Sequence, residues 1–439
     1  MLRPRSAIAA GVLLLVATGC SRITAATVSS TGEQANGGVS SGPTLSTNGR
    51  FVAYDSEATN LVPHDTNVTA DVFVHDEWTG RTERVSVASD GTQGNGLSSQ
   101  PKISGDGRFV VFKSDATNLV PGDTNGVTDV FVRDRRLHRT QRVSVSSWGA
   151  QANGGSSLYS FPNISADGQV VSFVSQATNL VRHDVNGTTD TFVHVLATGR
   201  TEMVSVASNG THGNGWAGGN TALSADGRDV VFAASGTNLV PGWTNGHEDV
   251  FVHDRLTGHT ERVSVASDGT QGNADAMDLG LWITANGRYV CFRSYASNLV
   301  PGDTNGTTDV FVRDRLTGRT ERVSVASGGL QAHGEHDTQI NDATMSNDGR
   351  YVLFDSFAYD LVPTSIDYSE HVYLHDRWTD RTSRVSVAAD GTPGNFWSGN
   401  SQISGNGRYA AFGTVASNLI PNDANGSGFD IAVARLSPP

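Results

Sequence analysis

One motif recurs seven times along this chain, and its period restricts the fold more than any other feature. An anchor serine or threonine stands at Ser46, Ser104, Ser165, Ser224, Thr284, Ser346 and Ser404, at spacings of 58, 61, 59, 60, 62 and 58 residues. A fixed period of this length marks a repeat architecture, in which each unit buries its apolar face only against its neighbours. The unit is clearest from Ile103 to Ser147, ISGDGRFVVFKSDATNLVPGDTNGVTDVFVRDRRLHRTQRVSVSS.

The unit reads as four strands, here called a to d. Strand a is short and ends at an Asx-Gly pair in every copy, from Asn48-Gly49 to Asn406-Gly407. Asx-Gly between apolar runs predicts a two-residue primed hairpin with φ > 0 at both positions. Strand b is an apolar run such as Phe109-Val110-Val111-Phe112, which implies burial on both faces. Strand c is Val130-Phe131-Val132 and its equivalents. A tight turn follows, as at Thr79-Gly80, and strand d, RVSV, alternates as a half-exposed strand does. Four antiparallel strands repeated seven times, with no helical period between them, predict an all-β fold, a seven-bladed β-propeller.

Length alone would suggest two or three domains, but a closed ring needs only one. Residues 21–439 are therefore expected to form a single propeller. The formal net charge of −13 argues against nucleic acid and anionic membrane surfaces as partners. Residues 1–20 read as an export signal: Arg3 and Arg5, then an apolar stretch from Ala7 to Ala17 too short to span a bilayer. It ends Ala17-Thr18-Gly19-Cys20, which resembles a bacterial lipobox and implies lipidation of Cys20. The expected location is extracytoplasmic, with the chain anchored by lipid or secreted, and with no other membrane contact. Cys291, the one other cysteine, lies in a strand b and reads as a small buried hydrophobe.

Copy seven stops after strand c, Ile431-Ala432-Val433, with no RVSV. The segment Thr24 to Ser30 is followed by Gly32, Gln34 and Asn36, as each strand d is followed by equivalents such as Gly91, Gln93 and Asn95. The N-terminus is therefore expected to supply the outer strand of the last blade, which removes the open edge. The b–c and d–a loops then share one face, the top, and Cys20 lies near the opposite face.

The b–c loops carry an Asp/Asn/Asp set: Asp65, Asn67, Asp71; Asp123, Asn125, Asp129; Asp184, Asn186, Asp190; Asp303, Asn305, Asp309; and Asp423, Asn425, Asp430. Alternate oxygen ligands around a glycine bend resemble calcium loops, nearer to those of integrin-type propellers than to an EF-hand, whose terminal Glu is absent. The same residues equally suit Asx-turns closing on their own backbone. Copy four has Trp243 in place of the first Asp, and copy six, over Pro363 to Glu370, loses the set.

The d–a loops repeat a Gln and an Asn, as at Gln93/Asn95, expected to lock loops. The Asp that ends strand c faces an Arg across the hairpin (Asp76/Arg81, Asp134/Arg139, Asp314/Arg319, Asp376/Arg381), a pairing expected to stabilise each blade. Binding residues are expected where the repeat breaks on the top face: His212, Trp216, Trp243, His247, Asp275, Asp278, Trp282, His333, Glu335, His336 and Asp337. Rings beside carboxylates suit a sugar or a peptide. No nucleophile elbow, P-loop or dinucleotide fingerprint occurs.

The pattern S-x-D-G-R-Y-V-x-F, then D-V-F-V-x-D-R, then R-V-S-V, resembles the TolB-like propeller repeat of bacterial envelope proteins, over about residues 24 to 435. The separate N-terminal α/β domain of TolB has no counterpart here. Nor does the hydrolase domain that related prolyl-peptidase propellers need. The resemblance implies a binding scaffold and no particular ligand. The first expectation is a monomeric, non-catalytic extracytoplasmic protein, stabilised by calcium if the loops hold it, that presents its top loops to a protein, peptide or glycan. The alternative is a polysaccharide lyase or hydrolase using His333, His336 or Asp275 with a metal.

Overall fold

A computed structural model describes residues 20–436 apart from 40, 158–159, 278, 334–341, 364–368 and 426–427. Its described residues form seven four-stranded antiparallel sheets and no helix. The sheets are the blades of a ring. Blade 1 consists of strands a (Thr44–Leu45), b (Phe51–Ser56), c (Asp71–Asp76) and d (Arg81–Arg84). Blades 2 to 6 span Ser98–Arg142, Asn163–Met203, Ala217–Arg262, Trp282–Arg322 and Ala343–Arg384. Blade 7 takes strands a to c from Ser398–Leu436 and its outermost strand from Cys20–Ala25.

The expected closure is therefore present, with shifted bounds. The closing strand is Cys20–Ala25, not Thr24–Ser30, and pairs Ile23 with Ala434, Thr24 with Val433 and Ala25 with Ala432. Ala26 N still donates to Ile431 O (2.8 Å); beyond it the chain leaves the ladder, and Val28 bridges Gln34 as Val87 bridges Gln93. Cys20 stands opposite Leu436, at the end of the blade where the c–d turns lie.

The a–b turn differs from the primed hairpin. Only its glycine has positive φ, 76° at Gly107, while the preceding Asx does not. Asp106 Oδ1 instead accepts from Ser104 Oγ and from Arg108 N (2.7 and 2.9 Å), an Asx-type cap on a four-residue turn. Glycine is required here twice over. A Cβ on Gly107 would meet the Phe51 ring of the preceding blade, and one on Gly349 would meet Tyr289. The repeated Asx-Gly is thus an inter-blade contact as well as a turn.

The core lies between blades. Strands b and c contribute stacked pairs such as Phe112–Phe131 and Phe292–Phe311, 6.0 and 5.8 Å apart. In blades 1 to 6 the Thr of strand d donates to the chain leaving the previous strand d, as Thr140 Oγ1 does to Val87 O (2.5 Å). Arg135–Glu83 and Arg377–Glu321, both 2.6 Å, bridge neighbouring blades. The Asp that ends strand c does sit opposite the expected Arg in register, Asp76 against Arg81. Its ion-pair partner is nonetheless Arg50, at the start of strand b (Nε and Nη2 at 2.9 and 2.7 Å), because that guanidinium can approach both oxygens edge-on. Arg108–Asp134, Arg228–Asp254, Arg288–Asp314 and Arg350–Asp376 repeat the pair.

Candidate functional site

The innermost strands surround an axial channel. The residue two before each anchor faces it: Thr44, Lys102, Asn163, Ala222, Trp282, Thr344 and Gln402. The a–b turns close in at the bottom, where Thr47 N donates to Gly105 O, Gly105 N to Ala166 O and Ala225 N to Ala285 O. The lower chamber, of about 70 Å³, is lined by Leu45, Ile103, Ile164 and Ile283 together with polar residues such as Thr44, Asn163 and Asn347. The upper chamber, of about 230 Å³, is polar, and every blade contributes to it.

Its walls carry Lys102, Asp342, Gln100, Asn163, Asn220, Asn400 and Gln402 beside Phe161 and Trp282. Some of these amides brace the ring: Gln402 Oε1 accepts from Leu45 N (2.7 Å), and Asn163 Nδ2 donates to Thr221 O (2.8 Å). Others keep unused capacity. Gln100 Oε1 and Trp282 Nε1 are buried without a hydrogen-bond partner among the described residues. Gln100 and Asn400 also hold φ of 54° and 53°, left-handed backbone that costs a non-glycine residue about 1–2 kcal/mol and clusters at ligand sites. Lys102 Nζ lies 5.5 Å from the centre of the Phe161 ring.

Behind this lining, the fifth residue of strand b runs Asp55, Lys113, Val174, Ala233, Arg293, Asp355, Gly413. Buried charges of both signs thus surround the chamber. Burial holds the Lys102 ammonium below its usual range, against the attraction of Asp342. Burial pushes the Asp342 carboxyl up, opposed by Lys102 and Arg293. Asp355 rises well above the carboxylate range, through burial and the nearby charges of Glu370 and Asp342. These residues were missed in the sequence. Their signal is substitution at one position of an otherwise repeated strand.

Among the described residues, the expected top-face residues do not gather into one pocket. Trp282 alone among them lines the axial chamber. His247 Nδ1 meets Asp275 Oδ1 at 3.1 Å, and His333 Nδ1 meets Asp360 Oδ2 at 2.8 Å. Trp243 donates to Asn245 within its own loop, and Trp216 packs against the core between blades 4 and 5. Asp278, Glu335, His336 and Asp337 lie outside the described residues. The repeated Asn locks loops as expected: Asn95 Nδ2 donates to Thr117 Oγ1 (3.0 Å) and Asn153 Nδ2 to Thr178 Oγ1 (3.0 Å).

The Asp/Asn/Asp loops hold a cation of their own in three blades. Arg84 Nη1 lies 3.1 Å from both Asp65 and Asp71. Arg142 lies 2.9 Å from Asp123 and Asp129, and Arg322 lies 3.1 and 3.2 Å from Asp303 and Asp309. The middle Asn donates to the last Asp, as Asn67 Nδ2 does to Asp71 Oδ2 (3.2 Å) and Asn305 Nδ2 to Asp309 Oδ2 (3.0 Å). In blade 7, Thr27 Oγ1 donates to Asp430 Oδ1 (2.6 Å), and Asn425 N to Asp423 Oδ1 (3.2 Å). Among the described residues, no group of three or more His, Cys, Asp or Glu side chains is placed to hold a metal. Cys291 is buried and unpaired, its thiol pushed up to about 12 by desolvation.

No protein-family model matches the chain, and no curated protein matches it. Among solved structures it is similar to an oligogalacturonate lyase from Vibrio parahaemolyticus, at 11% identity and a TM-score of 0.55, with 92% of each chain covered. It is similar to an oligogalacturonate lyase in complex with manganese, at 12% identity and a TM-score of 0.53, over 90% of this chain and 88% of that one. It also matches TolB from Acinetobacter baumannii at 13% identity and a TM-score of 0.40, over 71% of this chain and 58% of that one. At these identities the likeness is one of fold alone: the chain is a seven-bladed β-propeller.

Proposed function

We propose that this protein is a non-catalytic extracytoplasmic binding protein, and that its ligand, a short glycan or peptide, enters the upper axial chamber from the top face. One observation carries the reading. Each blade sends residues into a polar chamber of about 230 Å³, and the equivalent positions there differ from blade to blade. That volume is below the roughly 300–1,000 Å³ of pockets for drug-sized ligands, so it suits one sugar ring or one side chain of a longer molecule. Trp282 and Phe161 offer ring faces, and the amides, Lys102 and Asp342 offer donors and acceptors to hydroxyl, amide or carboxylate groups. The basic leader and the lipobox-like Cys20 support export, with the c–d turns toward a membrane and the chamber mouth away from it.

A second reading, a lyase or hydrolase, is favoured by Lys102, an amine of lowered proton affinity facing a polar pocket, as a general base requires. Both readings meet in one experiment. Thermal shift and calorimetry with short neutral and uronate-bearing oligosaccharides and short peptides should find a class that stabilises the wild type but not Trp282→Ala or Lys102→Ala. Turnover of an oligogalacturonate by the wild type, lost in Lys102→Ala, would replace binding by catalysis. If no probe distinguishes the wild type from either variant, the chamber is not the site.

A further inference from the structure

Around this loop, blade 3 differs from blades 1, 2 and 5 at two positions, Met203 and His212. Where Arg84, Arg142 and Arg322 reach between two loop carboxylates, strand d of blade 3 (Arg200–Met203) ends in Met203. The carboxylates remain, and both are buried: Asp184 is 8% exposed and Asp190 0%. Asp190 keeps its local bonds, from Asn186 Nδ2 (2.8 Å) and Ser205 Oγ (2.7 Å). Asp184 does not. Its Oδ1 is buried with no hydrogen-bond partner among the described residues. The same atom of Asp65, Asp123 and Asp303 faces the guanidinium at 3.1, 2.9 and 3.1 Å. The Gln that donates to both carboxylates in blade 1, Gln93 to Asp65 and Asp71 at 2.8 and 3.1 Å, is His212 in blade 3.

Methionine brings no charge and no N–H donor, so it cannot replace the guanidinium. His212 is the one titratable base whose charge acts on Asp184, and a single half-exposed imidazole does not match a guanidinium set between two buried carboxylates; a cation from solution removes the remaining cost. We infer that Asp184 and Asp190 bind one calcium-class divalent cation in the place that the guanidinium holds in blades 1, 2 and 5. The two carboxylates supply the charged oxygens; backbone, hydroxyl and water oxygens complete the shell. Calcium suits such an irregular oxygen set better than magnesium, which demands near-ideal octahedral geometry. With only two charged ligands, the site belongs to the weak class, with Kd on the order of 10⁻⁴ to 10⁻³ M.

The test is calcium chloride titrated in the millimolar range into the chelator-treated full chain and into Met203→Arg. The wild type should give a saturable heat and a Tm a few degrees higher with calcium. Met203→Arg should bind one ion fewer and should be more stable without calcium, because the guanidinium is then built in. The Asp423 and Asp430 pair of blade 7, opposite Ala25, is unchanged in that variant, so the readout is the difference between the two proteins. Asp184→Asn removes one ligand at constant volume and decides the matter if Met203→Arg fails to fold. Absence of saturable binding by the wild type, or equal stoichiometry in wild type and Asp184→Asn, would overturn the inference.

Discussion

The outer wall of the ring and the lining of its axis are built by opposite rules. On the wall, the blades are near copies. Strand c begins Asp-Val-Phe-Val in four of them, and six stack an aromatic pair at 5.8–6.0 Å. On the axis the equivalent residues are Thr44, Lys102, Asn163, Ala222, Trp282, Thr344 and Gln402, with no two blades alike except for the threonines of blades 1 and 6. A wall position meets the same neighbours seven times, so one solution serves all seven. The lining positions converge on one space from seven directions and need not resemble each other. Repetition therefore identifies architecture, and its failure at a fixed position identifies where recognition can be built.

The largest effect should come from breaking the ring. Removing residues 20–30 takes away the outer strand of blade 7 and the side chain of Ile23 from the core there. It also removes the Thr24 bond to Glu77 of blade 1 (2.9 Å). The truncated chain should lose its cooperative unfolding transition, as followed by calorimetry, because a propeller with an open blade exposes an unpaired edge. An unchanged transition would mean that the wall does not need closure.

Acid should act next, and through the wall. His75, His194, His253 and His375 occupy one position of strand c, each Nδ1 within 2.9–3.0 Å of a threonine Oγ1 in strand d. Burial lowers all four, His75 and His194 to about 4. The folded state therefore favours the neutral rings, while the unfolded chain takes up protons below about 6.5. Stability is full above that pH and falls as the pH drops toward 4, by up to about 1.4 kcal/mol per pH unit for each histidine. Asp76, held at about 2 chiefly by Arg50 despite its burial, yields only in stronger acid, below the usual carboxylate range. Urea unfolding at pH 7, 6, 5 and 4 measures the slope. A flat profile across this interval would remove the histidines from the wall's balance.

Much of this wall was legible beforehand. Seven blades, four strands each and closure by the N-terminus follow from the repeat alone. Local turn chemistry was less so. Asp106-Gly107 reads as a primed hairpin, yet the ring of Phe51 from the neighbouring blade selects the glycine, and a neighbour 56 positions earlier in the chain is invisible to a local pattern. For the same reason Arg50, 26 residues before Asp76, displaced the nearer Arg81 as its partner. The axial site was the least legible. Lys102 and Asp342 are 240 positions apart and look like ordinary departures from a repeat until the ring brings them to one chamber. The top-loop residues stand out in the sequence because they are aromatic or charged, yet Trp243, His247, Asp275 and His333 bond within their own or adjoining loops.

The smallest change in stability should come from the lining itself, and it bears most directly on the comparison. Lys102 and Asp342 are desolvated charges whose titrations are shifted toward neutrality by burial, so the fold gains little from them. Replacing both opposite charges by neutral groups removes two desolvation costs together with one attraction, whereas removing one leaves the other with less compensation. The double variant Lys102→Met, Asp342→Asn should therefore keep or raise the urea midpoint while it abolishes ligand binding in the upper chamber. Each single variant should fall below the double one. A double variant several kcal/mol less stable than the wild type would show that the axis is part of the load the wall carries. The divergence among the seven inner strands would then reflect packing around an irregular core rather than recognition.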